Sequence, residues 1–186
     1  MISLAQLWIP LVLSAVLVFV ASSLIHMVFK WHNSDYLKLP NEDEVRAALN
    51  KTRPAPGQYV VPHCPDMKDM QKPEVQQKFK DGPVGMVVLR ASGTPSMGPM
   101  LGQWFALNLV FAFITAYVAC KSLPMGASFV AVYRVVSLVT FLAYAGGSVQ
   151  AGIWMGKPWG SVAKDLLDGM IYAAVTAVTF AALWPH

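Results

Sequence analysis

The segment from Leu7 to Phe29 contains no Asp, Glu, Lys or Arg, and this apolar run constrains the fold more than any other feature. A helix rises about 1.5 Å per residue and the hydrocarbon core of a bilayer is about 30 Å thick, so a helix over this segment is long enough to cross a membrane. No Lys or Arg precedes the run, and no Ala-x-Ala cleavage motif ends it. We therefore expect a permanent membrane anchor and not a secretory signal.

Three further apolar segments follow. The second is uncharged, the third contains Arg134 as its only charged residue, and the fourth contains Asp168 near its start. Each is long enough to span a bilayer, and we expect Asp168 to reach the interface. The chain is therefore predicted to be an all-α membrane protein with four transmembrane helices. Their expected bounds are 7–29, 101–120, 127–154 and 166–184.

Composition agrees with a membrane protein, because 55% of the residues are hydrophobic and only 13% are charged. Such a composition excludes an ordinary soluble enzyme. The net charge of +4 is too small to indicate a nucleic-acid surface. Cys64 lies in a polar segment and Cys120 at a helix end, so no disulfide framework is expected. The lipid bilayer is the first partner that the sequence predicts, and nucleic acid is not one.

Positive charge beside the spans sets the expected orientation. With four spans, the segment 31–100 lies on the same side as the turn before the fourth helix. Residues flanking the spans on that side include Lys30, Arg90, Lys157 and Lys164, whereas the opposite side has Lys121. The positive-inside rule therefore places the segment 31–100 in the cytoplasm and both termini in the periplasm.

The polar segment 31–100 contains signals for secondary structure. Asn41 with Glu44 three residues later matches a capping box, and Pro73 suits the first turn of a helix. We expect a small α+β extramembrane cap here, with a disordered loop as the alternative, because few large apolar residues are available for a core. The expected elements are helices over 41–50 and 74–80 and a ribbon of strands 58–61 and 86–89.

Small residues recur every four positions on the third and fourth helices. In lipid, helices associate through close van der Waals contact, which small side chains permit. The connecting segment 155–165 is short and contains Gly and Pro, so we expect the two faces to meet in an antiparallel hairpin. The alternative is that alanine is simply common in membrane helices. The expected packing residues are Ala143, Gly147, Ala151, Gly169, Ala173 and Ala177.

Candidate metal ligands lie close in sequence within the polar segment, at His63, Cys64, Met67 and Met70. Thiolate, thioether and imidazole groups suit Cu(I), which makes these residues possible ligands. Against a copper site, the chain has no Cys-x-x-Cys pair, and methionine is ordinary packing material in membrane proteins.

Two histidines lie around the end of the first span. His26 and His32 resemble half of a haem or metal pair. The sequence offers no convincing partner for them inside the spans, and interfacial polar side chains account for them more simply. We therefore assign no cofactor.

Arg134 lies inside the third apolar segment, where a charge is costly and normally faces protein, water or a lipid phosphate. We expect it to extend towards the interface or to contact a lipid or a partner protein. Catalytic motifs are missing from the sequence, which has no Gly-x-Ser-x-Gly, no phosphate-binding loop and no His-Glu-x-x-His. No catalytic residue is predicted.

Four segments have distinctive sequences: His32-Asn33-Ser34-Asp35-Tyr36, Leu39-Pro40-Asn41-Glu42-Asp43, Gly82-Pro83-Val84-Gly85 and Ile153-Trp154-Met155-Gly156-Lys157-Pro158-Trp159. Together they resemble a family of uncharacterised bacterial inner-membrane proteins with the same four apolar runs. The resemblance covers nearly the whole chain. It implies a bacterial source and nothing more specific, because it carries no activity and transfers no site residue.

Small-residue faces, interfacial tryptophans and a polar module without catalytic motifs favour a non-catalytic accessory or assembly subunit. Such a subunit would pack beside a larger membrane complex, for example a respiratory or photosynthetic one. Two other functions stay open. The chain could handle copper through its loop ligands, or it could form a small transporter or channel by oligomerisation.

Overall fold

The computed structural model describes residues 2–186, which separate into two compact units. The membrane unit comprises residues 2–36, 96–152 and 157–186, and the cap unit comprises residues 37–95 with 153–156. In chain order the helices and strands are α1 (Trp8–Ser23), α2 (Glu42–Thr52), β1 (Gly57–Val61), α3 (Pro73–Asp81), β2 (Gly85–Leu89), α4 (Met97–Ser122), α5 (Phe129–Met155) and α6 (Trp159–Ala182).

Within residues 2–186, four helices are long and apolar enough to cross a bilayer. They are α4, α5, α6 and the continuous helical stretch Leu4–Phe29 around α1. The chain is thus a multi-pass membrane protein, and the predicted all-α fold with a small α+β cap is confirmed. The fourth helix begins at Trp159, seven residues before the expected start at 166. Hydropathy marks the part of a helix that lies in hydrocarbon, whereas the helix itself continues into polar sequence.

The least apolar of the four spans is also the most buried. The α6 span has a mean hydropathy of 1.3 and is 50% buried, whereas the α5 span has a mean hydropathy of 1.7 and is 22% buried. Helix α1 packs against both α4 and α6. Because α6 faces protein over much of its surface, it can hold polar side chains that lipid would not accept.

Apolar packing in the membrane unit forms two clusters. The larger is made by Leu7, Ala116, Val136, Phe180, Trp184 and their neighbours. The smaller is made by Val18, Ile25 and Tyr172. The indole N–H of Trp184 donates to the carbonyl oxygen of Pro124 at 3.1 Å, so the polar atom of this buried ring has a partner.

The expected contact between α5 and α6 uses a different residue of α5. A Cβ added at Gly169 would lie 2.7 Å from the Cβ of Ala145, so the helices meet at these two residues. Ala173 and Ala177 of the expected α6 face are buried. The prediction was wrong for Gly147, where an added Cβ would meet no atom within 4 Å. Ala143 and Ala151 are half-buried. The rotation of α5 about its axis brings Ala145, two positions away from both Ala143 and Gly147, to the contact.

The cap unit pairs β1 with β2 in an antiparallel ribbon whose register runs from Gly57 opposite Leu89 to Val61 opposite Gly85. Both helices expected here form, and Pro73 occupies the first turn of α3. The expected capping box does not form, because the Asn41 side chain makes no capping hydrogen bond. None of residues 37–95 is fully buried, which agrees with the shortage of large apolar residues.

Candidate metal centre

The end of the first span changes its backbone geometry three times within a dozen residues. A π-helical turn covers Leu24–Phe29, Lys30 adopts a left-handed conformation with φ of 54°, and a 3₁₀ turn covers Trp31–Asp35. This reversal folds His32 back beside His26, and the two imidazole centroids are 4.8 Å apart. A π-turn and a non-glycine residue at positive φ are both uncommon and often occur at functional sites.

A carboxylate from α6 completes the cluster. Nε2 of His32 lies 2.9 Å from Oδ2 of Asp168. His26, His32 and Asp168 each offer a ligand atom, and these three atoms all lie within 4.8 Å of one another. Asp168 is only 6% exposed, and its Oδ1 has no hydrogen-bond partner among the described residues. A buried carboxylate oxygen without a partner is costly, so this oxygen is available for a ligand.

A second layer of polar groups orients His32. Its Nδ1 lies 2.7 Å from Oδ2 of Asp35, and Oδ1 of Asp35 accepts a hydrogen bond from Nζ of Lys164 at 2.7 Å. Lys164 also donates to the carbonyl oxygen of Trp31 at 2.8 Å and to Oγ of Ser34 at 2.7 Å. The cluster is thus tied to the turn that carries His32.

The ionisation of Asp35 follows from these contacts. The hydrogen bond from Lys164 lowers the pKa of Asp35 from its ordinary value of 3.8 to about 2, and those from His32 and Ser161 add to this effect. Partial burial acts in the opposite direction and is outweighed. Asp35 is therefore a carboxylate that accepts from Nδ1–H of His32, which leaves Nε2 facing Asp168. Between Nε2 and Oδ2 at 2.9 Å there must be a proton or a cation, because two lone pairs would otherwise face each other.

A cavity of about 240 Å³ opens beside the cluster. Its wall includes Asp165, which accepts hydrogen bonds from Oγ of Ser148 and Nζ of Lys157. The phenol of Tyr144 in the same wall donates to Oδ1 of Asn108 at 2.8 Å. The lining residues are His26, Trp104, Tyr144, Ser148, Asp165, Asp168, Gly169 and Tyr172. The cavity has room for water or a small ligand next to the three donor groups.

Two imidazoles and one carboxylate form a donor set that suits Zn²⁺, Fe²⁺, Co²⁺ or Mn²⁺ better than Cu(I). The Asp35–His32 contact matches the carboxylate–histidine–metal arrangement found around many metal sites, in which the outer carboxylate fixes the tautomer of the ligand. Three protein ligands would leave coordination positions of a bound ion open. The residues of this cluster can therefore hold a divalent ion with an exchangeable site.

The copper ligands predicted in the polar segment belong to the cap unit and are not part of this cluster. Sγ of Cys64 lies 3.2 Å from the carbonyl oxygen of Asp66, to which it donates, and the Met67 side chain is exposed. Among residues 2–186, one group of three His, Cys, Asp or Glu side chains is close enough together to hold a metal ion, and it includes neither His63 nor Cys64. Met70 is half-buried. Within the part of the chain that the structure describes, the copper hypothesis is therefore supported by no group of three such ligands.

Two membrane charges differ in their surroundings. Arg134 is exposed on α5, and its carbonyl oxygen accepts a hydrogen bond from Ser137. Asp168 is buried against His32, which lies just beyond the end of the first span, and its expected position at the interface stays a prediction. Its partner His32 comes from a distant segment, so the spacing of residues along the fourth helix could not reveal it. The start of α6 at Trp159 places Lys164 on the same helix as Asp168, four residues before it, where Lys164 contacts Asp35 and not Asp168.

Comparisons of the chain with protein-family models, with curated proteins and with solved structures give no match.

Proposed function

We propose that this chain is a membrane protein that binds a divalent transition-metal ion through His26, His32 and Asp168. The observation that carries the proposal is the buried carboxylate of Asp168, which faces Nε2 of His32 with one oxygen and has no partner for the other. A cation that bridges these groups would satisfy both oxygens. It would also engage His26, which lies within reach of both.

A protonated His32 is the competing explanation. An imidazolium would donate to Asp35 and to Oδ2 of Asp168, but it would leave Oδ1 of Asp168 without a partner. The charge balance also supports a bound cation. Asp35 and Asp165 are paired with Lys164 and Lys157, respectively, whereas Asp168 has no lysine or arginine partner among the described residues.

The test uses the full chain, purified in mild detergent and stripped of metal. Co²⁺ is added first, because its visible spectrum reports ligand type and geometry, and Zn²⁺ is then added to displace it. We expect one ion per chain in the parent, and loss of binding in Asp168→Asn and in His32→Asn. His63→Asn in the cap is the matched control and should bind normally. Absence of stoichiometric binding, or equal loss in His63→Asn, contradicts the proposal.

The same experiment separates the metal centre from the copper hypothesis. A chain that binds Cu(I) through Cys64, Met67 and Met70 would lose copper when these residues are replaced and would keep it in Asp168→Asn. Under the metal-centre proposal the bound divalent ion is lost in Asp168→Asn and kept when Cys64, Met67 and Met70 are replaced, because the donor set of His26, His32 and Asp168 prefers a harder ion than Cu(I).

A second candidate function is that of an accessory or assembly subunit of a larger membrane complex. It is supported by the open surface at Gly146 and Gly147 of α5, where an added Cβ would meet no atom and a partner helix could approach closely. Purification in mild detergent should then recover further polypeptides that Gly147→Leu releases. If the chain purifies alone, or if Gly147→Leu leaves the complex intact, this candidate fails.

The proposed location is the bacterial inner membrane, with residues 31–100 in the cytoplasm and both termini in the periplasm. Positive charge at Lys30, Arg90, Lys157 and Lys164 supports this orientation. The bacterial source is supported by the sequence resemblance described above.

A further inference from the structure

A second concave site lies in the cap unit and is independent of the metal centre. Helix α2 contributes one face to it. Arg46, Leu49, Asn50 and Arg53 all line the cavity. These positions follow the spacing i, i+3, i+4 and i+7, which places them on one side of a helix.

The β-ribbon supplies the opposite wall. Gly57 at the start of β1 pairs with Leu89 at the end of β2, so the chain entering β1 and the chain leaving β2 lie side by side. This register brings Arg90 next to the segment 54–56 that follows α2. Together these residues and Ser92 line an open cavity of about 670 Å³, which falls within the usual range of about 300–1,000 Å³ for small-molecule sites.

The lining of this cavity carries positive charge and contains no carboxylate. Arg46, Arg53 and Arg90 line it, and no Asp or Glu does. The one ion pair of this group is Arg46 with Asp43 at 3.3 Å, and its side chains are 65% and 97% exposed, so it contributes little. Among residues 2–186, Arg53 and Arg90 form no salt bridge. Like charges that converge on one cavity repel each other, and an anionic ligand would relieve the repulsion.

Arg53 is also held in a strained backbone conformation. It ends α2 with φ of 45°, in the left-handed region, at a position where glycine is the usual residue. A residue other than glycine is costly at this φ, so the presence of arginine indicates that its side chain has a function.

We infer that this cavity binds a phosphate monoester with an apolar body. Guanidinium groups bind phosphate oxygens in paired hydrogen bonds, which favours arginine over lysine in such sites. Leu49, Leu89 and Pro56 form the apolar part of the lining, which suits a nucleobase or the glycerol and acyl portion of a lipid. The phosphate can thus come from a soluble nucleotide or from an anionic lipid headgroup, and the test separates these two sources.

The first arm of the test measures AMP binding to the full chain in phosphatidylcholine nanodiscs, with adenosine as the ligand that lacks the phosphate. AMP should bind and adenosine should not. Arg53→Gln and Arg90→Gln should each raise the Kd for AMP by about tenfold, the effect of one lost charge-assisted contact. Lys78→Gln removes an exposed positive charge that does not line the cavity and should leave the Kd within about twofold.

Arg53→Gly guards against misfolding as the cause of lost binding. Glycine relieves the strain at φ of 45°, so this variant should be at least as stable as the parent while still losing affinity for AMP. If AMP binding survives in Arg53→Gly and in Arg90→Gln, the inference is wrong. It is equally wrong if Lys78→Gln weakens binding as much as the arginine variants do.

The second arm adds phosphatidic acid to the nanodiscs and repeats the AMP titration. A rise in the apparent Kd for AMP identifies the lipid headgroup as a competing occupant, and an unchanged Kd identifies a soluble phosphate monoester. Absence of AMP binding together with no retention of phosphatidic acid by the purified parent chain overturns the inference. Metal binding is measured separately on the same preparation, so failure here is distinguishable from failure of the metal centre.

Discussion

Gly169 of α6 and Ala145 of α5 lie so close that a Cβ on the glycine would come within 2.7 Å of the alanine Cβ. Gly169 directly follows Asp168, the buried carboxylate of the candidate metal centre. The close approach of the two helices therefore fixes the part of α6 that carries Asp168. The packing of α5 against α6 at Gly169 and Ala145 thus helps to set the position of Asp168.

Replacement of Gly169 should test this link. Gly169→Ala inserts a methyl group where Ala145 leaves no space, and overpacking of this kind costs about 1 to 3 kcal/mol. We expect a lower thermal unfolding temperature in detergent. Gly147→Ala is the matched control, because its added methyl group meets open space and should leave the temperature unchanged or slightly higher. Equal temperatures for the two variants would contradict the proposed contact.

Metal should stabilise the folded chain. A ligand that binds only the native state at about 100 times its Kd adds about 2.7 kcal/mol to the free energy of unfolding. Zn²⁺ should therefore raise the unfolding temperature of the parent, and a chelator should reverse the rise. Asp168→Asn should show no Zn²⁺-dependent rise. If the variant responds to Zn²⁺ as the parent does, Asp168 is not a ligand.

Lys164 should affect metal affinity without touching the metal. It holds Asp35, and Asp35 holds Nδ1 of His32. Loss of such outer contacts typically weakens metal binding by about 10- to 100-fold. Lys164→Met should therefore raise the Kd for Zn²⁺ by a factor in this range while the cobalt spectrum keeps its ligand signature. Lys121→Met, at the end of α4, should leave the Kd unchanged, and a similar loss in both variants would point to a general charge effect.

Asp35 should contribute stability in a defined pH range. Its pKa is lowered on folding, mainly by Lys164, from 3.8 to about 2. The unfolded chain therefore takes up this proton first as the pH falls, so the contribution is complete above 3.8 and disappears as the pH approaches 2. The unfolding temperatures of the parent and Asp35→Asn should differ at about pH 5 and converge towards about pH 2. A difference that stays constant across this range would exclude the ionised Asp35 as its source.

Topology can be measured by labelling. In a Cys64→Ser, Cys120→Ser background, Lys51→Cys should resist a membrane-impermeant thiol reagent in intact cells, because positive charge favours a cytoplasmic cap. A reporter fused after His186 should read as periplasmic. Labelling of Lys51→Cys in intact cells would reverse the proposed orientation.

The spans were predictable because hydrocarbon thickness imposes a minimum length on uncharged sequence, and the segment from Leu7 to Phe29 meets it without a charge. The paired strands followed from β-branched stretches. The rotation of a helix was not predictable in the same way. A small residue every four positions defines a face, but which face meets a neighbour depends on all the helices together. The spacing therefore predicts a contact at Gly147, whereas Ala145 makes it.

The metal centre was only half visible in the sequence. In the sequence, His26 and His32 resemble half of a metal pair, but interfacial polar side chains account for them more simply. Asp168 comes from a distant segment and meets them only because the chain reverses at Lys30. Lysine is not a residue that normally signals a left-handed turn. No local sequence pattern therefore predicts the reversal at Lys30, and the third ligand, Asp168, could be found only from the folded chain.

The π-helical turn at Leu24–Phe29 makes the site sensitive to the length of the chain as well as to its chemistry. Each residue of an α-helix turns the chain by about 100°, so loss of a single residue between the two histidines would change the direction of the following chain by an angle of this size. His32 would then leave Asp168 even though every donor group was still present. Insertions and deletions in this short stretch should therefore be as damaging to the site as removal of a ligand, whereas apolar exchanges at Met27 or Val28, both exposed, should be tolerated.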